Sequence, residues 1–270
     1  MIKKYFRTIR KILRYSKWYC QAKIERFNTR YIDAIELDRF ESYMILIPHA
    51  DDEWIGCSQI LCKMENVYLV DADMNGGDSQ VIHNQRKREL HQIAYKYKRA
   101  VFTLMGNKGE ELLRLINTLT PRYVVLPFLF DWHLEHIQVM DMLESVLTSS
   151  SFSGDILMYQ ISVPIGERWI NRIISMTRRE QIDKWIKFKE VYKTQKHLPF
   201  FRFLMQERIN GKYSNSYASE VYVQMSRERW LALKPYVIKK ALNSRENIMK
   251  GLNNIRKIRS LSNSISHECR

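Results

Sequence analysis

Short apolar runs that alternate with longer helix-like stretches constrain the fold of this 270-residue chain most strongly. The strand-like runs lie near residues 43–47, 67–72, 100–104, 123–127 and 156–163. The helix-like stretches lie between them, near residues 55–64, 79–97, 109–119 and 134–148. Such alternation favours parallel strands joined by crossover helices. The sequence therefore predicts an α/β fold with a Rossmann-like, doubly wound, mostly parallel sheet flanked by helices.

The positive charge is concentrated at the two ends of the chain, which carries a net charge of +15. Residues 1–30 contain ten basic residues and one acidic residue, and residues 226–270 contain eleven and three. The residues between them are nearly neutral, with 23 basic and 25 acidic residues. We therefore predict three segments: a basic amphipathic helical segment at 1–38, a central domain at 39–226 and a basic helical extension at 227–270.

Two polar runs follow apolar strands of the predicted sheet. The run from His49 to Glu53 comes directly after the first strand, and the run from His133 to His136 follows the fourth strand by a short loop. Open α/β sheets place their active sites at the carboxyl ends of their strands. Two such ends can bring His49, Asp52 and His136 together, and a catalytic zinc takes His and carboxylate ligands. The runs predict one divalent metal, Zn²⁺ or Fe²⁺, because these ligands suit both ions.

Other residues of the two runs can supply acid–base groups. A bound metal lowers the pKa of water and polarises a substrate carbonyl. Amide hydrolysis also needs a base for the proton of the attacking water and an acid for the departing nitrogen. Asp51 and Asp52 can divide this work, one facing the metal and the other the water, while His133 can face the opposite side of the substrate. Alone, the Asp pair could equally cap a helix, but two runs in this order favour a metal-dependent amide hydrolase.

With these motifs the sequence resembles the LmbE-like and PIG-L deacetylases, which remove acetyl groups from N-acetylglucosamine-type sugars. The first motif of that family reads His-Pro-Asp-Asp-Glu, and the resemblance implies that His49 and Asp52 bind the metal and that Asp51 is the general base. The second motif reads His-Pro-Asp-His, which implies that His136 is the third ligand and that His133 is the acid or the oxyanion stabiliser. The likeness runs from about residue 42 to about residue 225 and implies a deacetylase domain at 39–226.

Several further residues fit the family pattern, and three depart from it. Those that fit are Gly56, Cys57, Arg86, Glu89 and the Lys-rich segment at 189–195. Ala50 and Leu134 replace the two motif prolines, which removes backbone stiffening but no chemical group. Glu135 replaces an Asp, and its longer side chain could alter the orientation of His133.

Residues around the predicted centre are candidates for binding the substrate. Arg86 could direct bidentate donors at a sugar hydroxyl or a phosphate, although an ordinary helix-face ion pair would explain it as well. Trp54 and Trp132 each adjoin a motif and are predicted platforms for a sugar ring, with core packing as the alternative. Asn75 lies in a Gly-containing turn that the resemblance implies near the pocket. Glu53, Asp131 and Glu135 are predicted to lie behind the catalytic and metal-binding side chains and to support them.

The first twenty residues form the pattern of a basic amphipathic helix. Apolar residues recur at helical spacing in residues 2–20, and Lys and Arg fill the other face. Such a helix suits an anionic membrane surface, although packing on the chain's own core would give the same pattern. The segment has no uninterrupted apolar region, so it is not predicted to be a signal peptide, and no run reaches the length of a spanning helix. The four cysteines form no disulfide framework, which favours a cytoplasmic protein. The amphipathic helix favours a peripheral position on the cytoplasmic membrane face.

The predicted activity is deacetylation of an N-acetylglucosamine-type sugar, and the N-terminal helix favours a glycolipid or surface-polysaccharide intermediate. An amidase acting on another small amide is the alternative within the same fold, because the motifs specify the reaction centre and not the rest of the substrate. A non-catalytic membrane-docking or nucleic-acid-binding protein is the alternative of a different class. The neutral central segment and the lack of a nucleic-acid-binding motif weigh against nucleic acid. No oligomeric state is predicted.

Overall fold

The structure of the protein is a computed structural model that describes residues 2–74, 77 and 79–268. The helices are α1 (Ile2–Asn28), α2 (Asp52–Lys63), α3 (Gln80–Lys96), α4 (Lys108–Leu119), α5 (Leu134–Ser149), α6 (Arg178–Val191), α7 (Phe200–Asn210), α8 (Arg227–Asn243), α9 (Arg245–Gly251) and α10 (Ile255–Glu268), with a 3-10 turn at Lys193–Gln195. The strands are β1 (Ile35–Glu36), β2 (Ser42–Ile47), β3 (Asn66–Asp71), β4 (Ala100–Thr103), β5 (Tyr123–Pro127), β6 (Asp155–Tyr159), β7 (Arg172–Met176) and β8 (Ala218–Ser226).

In the described part of the chain the strands form one sheet in the order β1-β7-β8-β6-β5-β2-β3-β4. The neighbouring strands are parallel except at β8, which runs antiparallel to both β6 and β7. The predicted α/β fold with a mostly parallel sheet is therefore confirmed. The five predicted strands correspond to β2 through β6 and the four predicted helices to α2 through α5. The sequence analysis did not identify β1, β7 and β8, which extend the sheet beyond β6.

Helices cover both faces of the sheet, as the central strand β2 illustrates. Met44 and Leu46 belong to a core that includes residues of α4, α5 and α8. Tyr43, Ile45 and Ile47 belong to a second core, on the other face, that includes residues of α2, α3 and α6. All five side chains are fully buried. A parallel strand buried on both faces reads as a continuous apolar run, which is why the sequence predicted β2 and the doubly wound arrangement.

Gly56 allows α2 to approach the sheet closely. A Cβ atom at this position would lie 2.2 Å from Cδ2 of Tyr159, so any side chain would have to displace that ring. The adjacent Cys57 is a buried free thiol, and its φ of −132° and ψ of 20° interrupt the helical geometry. The Gly-Cys pair therefore determines how α2 packs on β6. Because α2 begins at Asp52, this packing also positions the first motif.

The second half of α1 packs on α7 and α10. Trp18 is buried against Met205, Ile209 and Ile255, and its indole N–H donates to the carbonyl oxygen of Asn253 at 3.1 Å. Packing on the protein itself therefore accounts for part of the apolar pattern that predicted membrane binding. Among the described residues, no helix is long and apolar enough to cross a membrane. The division of the chain into three segments stays a prediction.

Candidate metal centre

The two polar motifs lie at the carboxyl ends of neighbouring strands. β2 and β5 pair in parallel, so both strands end at the same edge of the sheet. His49 follows β2 by two residues, and the segment from His133 to His136 leaves the loop after β5 and enters α5. Residues that are far apart in the sequence therefore meet at this edge, as the parallel topology predicted.

The three predicted metal ligands converge on one point. His49 Nδ1 lies 3.2 Å from Oδ2 of Asp52, and His136 Nε2 lies 3.3 Å from the same oxygen. All three side chains are buried. Ring nitrogens of His49, His133 and His136 also lie within 4.8 Å of one another, so these three histidines form a second possible ligand set. The ligand roles of all these residues stay predictions.

The surroundings of His136 test whether a cation fits this point. His136 Nδ1 lies 2.9 Å from Oδ2 of Asp131, so the neutral ring keeps its proton there and directs the Nε2 lone pair at Asp52. That lone pair and the Asp52 oxygen repel each other unless a proton or a metal ion lies between them. Although burial lowers it, the charges of Asp131 and Asp52 raise the pKa of His136 to about 10. The donor set fits a zinc-type ion, and Asp131 gives His136 the carboxylate support common to metal-binding histidines.

Asp51 lies beside the cluster in a strained backbone conformation. Its φ is 131°, a left-handed value that residues with a side chain rarely adopt and that is often found at functional sites. Its N–H donates to Oε2 of Glu53 at 2.9 Å, and its Oδ1 lies 3.4 Å from Nη2 of Arg86. Burial and the charge of Asp52 raise the pKa of Asp51 well above its usual range. A carboxyl group tuned in this way is suited to proton transfer.

Two contacts join α3 to the segment that follows α6. With the amide oxygen of Gln195 turned towards Arg86, it accepts from Nε and Nη2, each at 2.7 Å. Glu89, one turn along the helix, accepts from the backbone N–H and the hydroxyl of Thr194 at 3.1 and 2.6 Å. Arg86 and Glu89 therefore contact the end of the Lys-rich segment at 189–195, which also fits the family pattern. Together they fix the guanidinium of Arg86 beside Asp51.

His133 faces the pocket next to the cluster. Its ring centroid is 4.7 Å from those of His49 and His136, and its backbone N–H donates to Oδ1 of Asp131 at 3.0 Å. Burial and the neighbouring His136 and His49 lower the pKa of His133 to about 4. The ring is therefore neutral at pH 7 and available to donate or to accept a hydrogen bond.

Glu135, the residue that departs from the family pattern, reaches the cluster. Its carboxylate hydrogen-bonds to Nε2 of His49 and lies 3.9 Å from Nδ1 of His133. The longer side chain thus brings an additional carboxylate against a predicted ligand. Trp132 lines the same pocket, with its ring centroid 5.5 Å from that of His133. Its role as a platform for a sugar ring stays a prediction.

The structure corrects one predicted site residue and accounts for another. Trp54 has no exposed surface, and its indole N–H donates to the backbone oxygen of Lys184 at 3.0 Å. The prediction that Trp54 contacts substrate is wrong, because the first turn of α2 directs this ring into the core. Glu53 is also fully buried and accepts from the hydroxyl of Tyr192, so it supports the Asp51 backbone from behind. Asn75 lies outside the described residues.

A pocket of about 480 Å³ contains the cluster. Part of its lining comes from α1, from α7 and the segment before it, and from the turn after α9; these residues are Arg14, His197, Arg202, Phe203, Leu252 and Asn253. The sequence analysis did not identify them, because no local motif marks them and they come from segments far apart in the chain. Arg14 belongs to the basic pattern of α1 that was interpreted as facing a membrane.

The chain is similar to known proteins in its fold, whereas its sequence gives no significant match. No protein-family model matches the chain, and no curated protein gives a significant sequence match. Among solved structures, the conserved protein TT1542 from Thermus thermophilus has a TM-score of 0.53 at 17% identity, covering 68% of this chain and 94% of that one.

Teicoplanin deacetylase Orf2 gives a comparable result. Its zinc-inhibited form has a TM-score of 0.52 at 12% identity, covering 69% of this chain and 99% of that one. A deacetylase–teicoplanin complex has a TM-score of 0.51 at 13% identity, covering 68% and 98%. At these identities the likeness concerns the fold alone. The chain therefore has the mostly parallel α/β fold found in TT1542 and in a deacetylase of teicoplanin biosynthesis.

Proposed function

We propose that this protein is a metal-dependent hydrolase that removes the N-acetyl group from an N-acetylglucosamine-type sugar. The observation that carries the proposal is the convergence of His49, Asp52 and His136 on one point beside a pocket of about 480 Å³. The two motifs and the fold shared with a teicoplanin deacetylase support the same activity. An amidase acting on another small amide would use the same centre and is distinguished by its substrate.

The metal would be held by His49, Asp52 and His136. When bound, a zinc or ferrous ion would lower the pKa of water and polarise the acetyl carbonyl. Oδ2 of Asp131 lies 2.9 Å from Nδ1 of His136 and keeps the proton of the neutral ring on that nitrogen. The lone pair of Nε2 would then be available to bind the metal ion. The hydrogen bond of Glu135 to Nε2 of His49 would restrain the orientation of that ring.

Asp51 is the group we assign as the general base. Its raised pKa suits it to take a proton from the attacking water and to deliver a proton to the departing amine. Arg86, 3.4 Å away, holds one carboxylate oxygen in place. The hydrogen bond from the Asp51 backbone to Glu53 stabilises the strained conformation that directs this side chain.

His133 would act on the other side of the scissile amide. Its neutral ring borders the pocket and can donate a hydrogen bond to the acetyl oxygen as negative charge develops on it. The hydrogen bond from its backbone N–H to Asp131 fixes the start of α5. Trp132, also at the pocket, would pack against the sugar ring, while Arg86 would contact a sugar hydroxyl.

Replacement of Asp51 separates catalysis from metal binding. We expect Asp51→Asn to keep one metal ion per chain and to lose roughly 10²- to 10⁴-fold in the rate of acetate release from N-acetylglucosamine-containing substrates. Asp183→Asn, at a half-exposed position on α6, is the matched control and should retain full rate. Wild-type turnover by Asp51→Asn would remove Asp51 from the mechanism, and loss of the metal would make it a ligand.

Replacement of His133 distinguishes the two possible ligand sets. If His49, Asp52 and His136 hold the ion, His133→Ala keeps the metal under limiting zinc and loses activity. If the three histidines hold it, His133→Ala loses metal while Asp52→Asn keeps it. Elemental analysis of both variants after dialysis decides between these sets.

We also propose that the first half of α1 binds an anionic membrane surface on the cytoplasmic face, where a glycolipid substrate would be met. Ile12 and Leu13 are 58% and 63% exposed, and Lys11 and Arg14 lie next to them. Each basic residue near an anionic leaflet contributes about 1 kcal/mol, and inserted apolar side chains add to this.

The membrane proposal is tested with substitutions, because truncation of α1 would also remove the buried Trp18. The double variant Ile12→Ser, Leu13→Ser should lose its salt-sensitive co-sedimentation with vesicles that contain phosphatidylserine. Phe27→Ser, an 88% exposed position at the other end of α1, should sediment as the wild type does. Equal sedimentation of all three proteins would refute the membrane contact.

A further inference from the structure

One wall of the pocket contains a buried cation that the proposed chemistry does not use. Arg202, on α7, lines the same pocket as the histidine cluster and is only 4% exposed. Its Nη1 donates to the carbonyl oxygen of Leu252 at 2.8 Å. Its buried Nε has no hydrogen-bond partner, and its guanidinium carbon lies 4.9 Å from the ring centroid of Phe203. The guanidinium is thus packed in place with donor capacity left over.

Comparison with the other buried cations makes Arg202 distinctive. The described residues include four buried Lys or Arg side chains, namely Lys184, Arg202, Lys234 and Arg259. The other three each pair with carboxylates, namely Lys184 with Glu207 and Glu220, Lys234 with Asp141 and Glu144, and Arg259 with Glu25. Within the described part of the chain, Arg202 has no carboxylate within ion-pair distance. The described residues therefore provide counter-charges for the three structural cations but none for this one.

An unpaired buried charge is costly to keep. The effective penalty for removing an ion from water is several kcal/mol, and it is recovered only when a counter-ion and hydrogen bonds replace the lost hydration. Burial lowers the pKa of Arg202 to about 10, so the side chain still carries its charge at neutral pH. A group that lines a pocket in this state is suited to receive an anion from a ligand, since a guanidinium matches the geometry of phosphate oxygens.

A second group of cations continues outward from the same wall. Arg14 lines this pocket and also an adjoining depression whose lining includes Arg10, Lys11 and Lys196. The two cavities share Arg14 and the segment from His197 to Pro199, and no acidic residue is among the described residues that line the outer one. Positive charge therefore extends from Arg202 to the surface. Such a surface attracts a ligand with more negative charge than a single carboxylate carries.

We propose that Arg202 and Arg14 form a phosphate-binding subsite, and that the substrate is an N-acetylated sugar that carries a phosphate ester. This inference rests on the proposed deacetylase function and specifies its substrate class. The phosphate could belong to a soluble sugar phosphate, to a nucleotide sugar or to a lipid-linked diphosphate, which share the same chemistry at this subsite.

The test compares zinc-loaded wild type with Arg202→Met and Arg14→Gln on matched substrates. The substrates are N-acetylglucosamine, N-acetylglucosamine 1-phosphate, the uridine diphosphate sugar and a polyprenyl diphosphate sugar in detergent. We expect wild type to prefer at least one phosphorylated substrate over the free sugar in kcat/KM. Loss of a charged hydrogen bond should lower that preference roughly 10- to 100-fold in Arg202→Met and less in the exposed Arg14→Gln. Arg179→Gln, a 92% exposed residue of α6, is the control and keeps the full preference.

The substrate with the largest preference identifies the source of the phosphate. If no phosphorylated substrate exceeds the free sugar, or if Arg202→Met keeps the wild-type ratio, the subsite is overturned while the deacetylase function stands. Calorimetric binding of N-acetylglucosamine 1-phosphate tests the case in which the subsite exists but the protein is not a deacetylase. Binding that is weakened in Arg202→Met without any acetate release would support the subsite and refute the proposed function.

Stability provides an independent readout, because a structural arginine and a ligand-binding one respond differently to replacement. Replacement of Arg202 by an apolar residue of similar length removes the desolvation cost of the unpaired charge together with one hydrogen bond to Leu252. The two effects oppose each other, so substrate-free Arg202→Met should have a Tm close to that of wild type. A clear fall in Tm would assign Arg202 a structural role. Should Arg202→Met not fold, Arg14→Gln and Arg202→Lys carry the kinetic test, since the lysine keeps the charge but not the fork of donors.

Discussion

Two buried charged clusters contact the same helix, α2, and they differ in whether a lysine or exchangeable histidine protons balance their carboxylates. The lysine cluster consists of Lys184, Glu207 and Glu220, and the metal cluster consists of His49, Asp52 and His136. Lys184 contacts Ile55 and Glu220 contacts Gln59 along the middle of α2. The metal cluster includes Asp52, the first residue of the same helix.

In the lysine cluster, the charge of Lys184 is balanced by the carboxylates of Glu207 and Glu220. The Lys184 ammonium donates to the backbone oxygen of Ile55 and to Oε1 of Glu220, and it forms an ion pair with Oε1 of Glu207, each at 2.7 Å. Oε2 of Glu207 accepts from Trp185 and Gln181, and Oε2 of Glu220 accepts from Gln59 and Tyr222. Ser58 donates to Oε1 of Glu220, the oxygen that also contacts Lys184. The charges of Glu207 and Glu220 raise the pKa of Lys184 despite its burial. No further ion is needed there.

The metal cluster has the opposite character. Two ring nitrogens approach one oxygen of Asp52, and each contact is favourable only when a proton or a metal ion lies between the nitrogen and the oxygen. The comparison indicates that a buried charged cluster is a candidate functional site when it depends on an exchangeable proton or metal ion. Similar residue types that do neutralise one another indicate a structural role.

The largest expected effect comes from removing the cation of the lysine cluster. Lys184→Ala leaves Glu207 and Glu220 buried without a counter-ion, and we expect a loss of about 3 to 5 kcal/mol in the free energy of unfolding. Urea denaturation measures it. Arg179→Ala, on the same helix but 92% exposed, should change stability by no more than about 0.5 kcal/mol. A much smaller loss in the free energy of unfolding would show that Lys184 is not the necessary counter-ion of Glu207 and Glu220.

The next effect is stabilisation of the metal cluster by zinc. At free zinc about 100 times its Kd, wild type should gain about 2.7 kcal/mol, and His136→Ala should gain nothing. Thermal unfolding with and without a chelator measures both. Because His136 has a pKa of about 10 without metal, zinc must displace a proton at pH 7. The apparent affinity should therefore rise with pH towards 10, and a pH-independent affinity would contradict this account.

A smaller effect is expected from the residue that orients the ligand. Asp131→Asn removes the charge 2.9 Å from His136 Nδ1 while keeping the shape of the side chain. Loss of such support lowers metal affinity roughly 10- to 100-fold. Competition with a chelator of known affinity measures the change. The comparison would fail if Asp131→Asn bound zinc as tightly as wild type does.

The smallest effect separates stability from metal binding. Thr177 accepts from the N–H of Glu180, and Glu180 accepts from the N–H of Thr177, which forms a capping box at the start of α6. Thr177→Ala should destabilise the helix that carries Lys184 by about 1 kcal/mol. Zinc affinity should stay at the wild-type value. A parallel loss of affinity would mean that the two clusters are not energetically separate.

The sequence predicted the centre of the site because its signals are local. His49, Asp52 and His136 each follow a strand that is buried on both faces, and such strands are recognisable as unbroken apolar runs. The short strands β1 and β7 pair at the far end of the sheet without such runs. Neighbouring residues in a motif can also point to different sides of a helix, which is why proximity to the motif misassigned Trp54.

The pocket wall that contains Arg202 and Arg14 could not be predicted in the same way. Arg202 contacts Leu252, 50 positions away, and Arg14 reaches the pocket only because Trp18 anchors α1 against α7 and α10. Such contacts depend on the complete tertiary arrangement. In the sequence, Arg202 is one more basic residue in a basic chain. The feature that distinguishes it is that no carboxylate of the described residues lies near it.

The packing of α1 against the C-terminal helices has a consequence for biosynthesis. Trp18 and Asn253 are 235 positions apart, yet both belong to the same side of the protein as the pocket wall. The predicted metal ligands are all synthesised by residue 136, whereas Leu252 and Asn253 follow later, on the order of ten seconds at ribosomal speed. A nascent chain would therefore contain all residues of the proposed metal centre before it contains the whole pocket wall. The pocket wall is complete only after Leu252 and Asn253 have been synthesised.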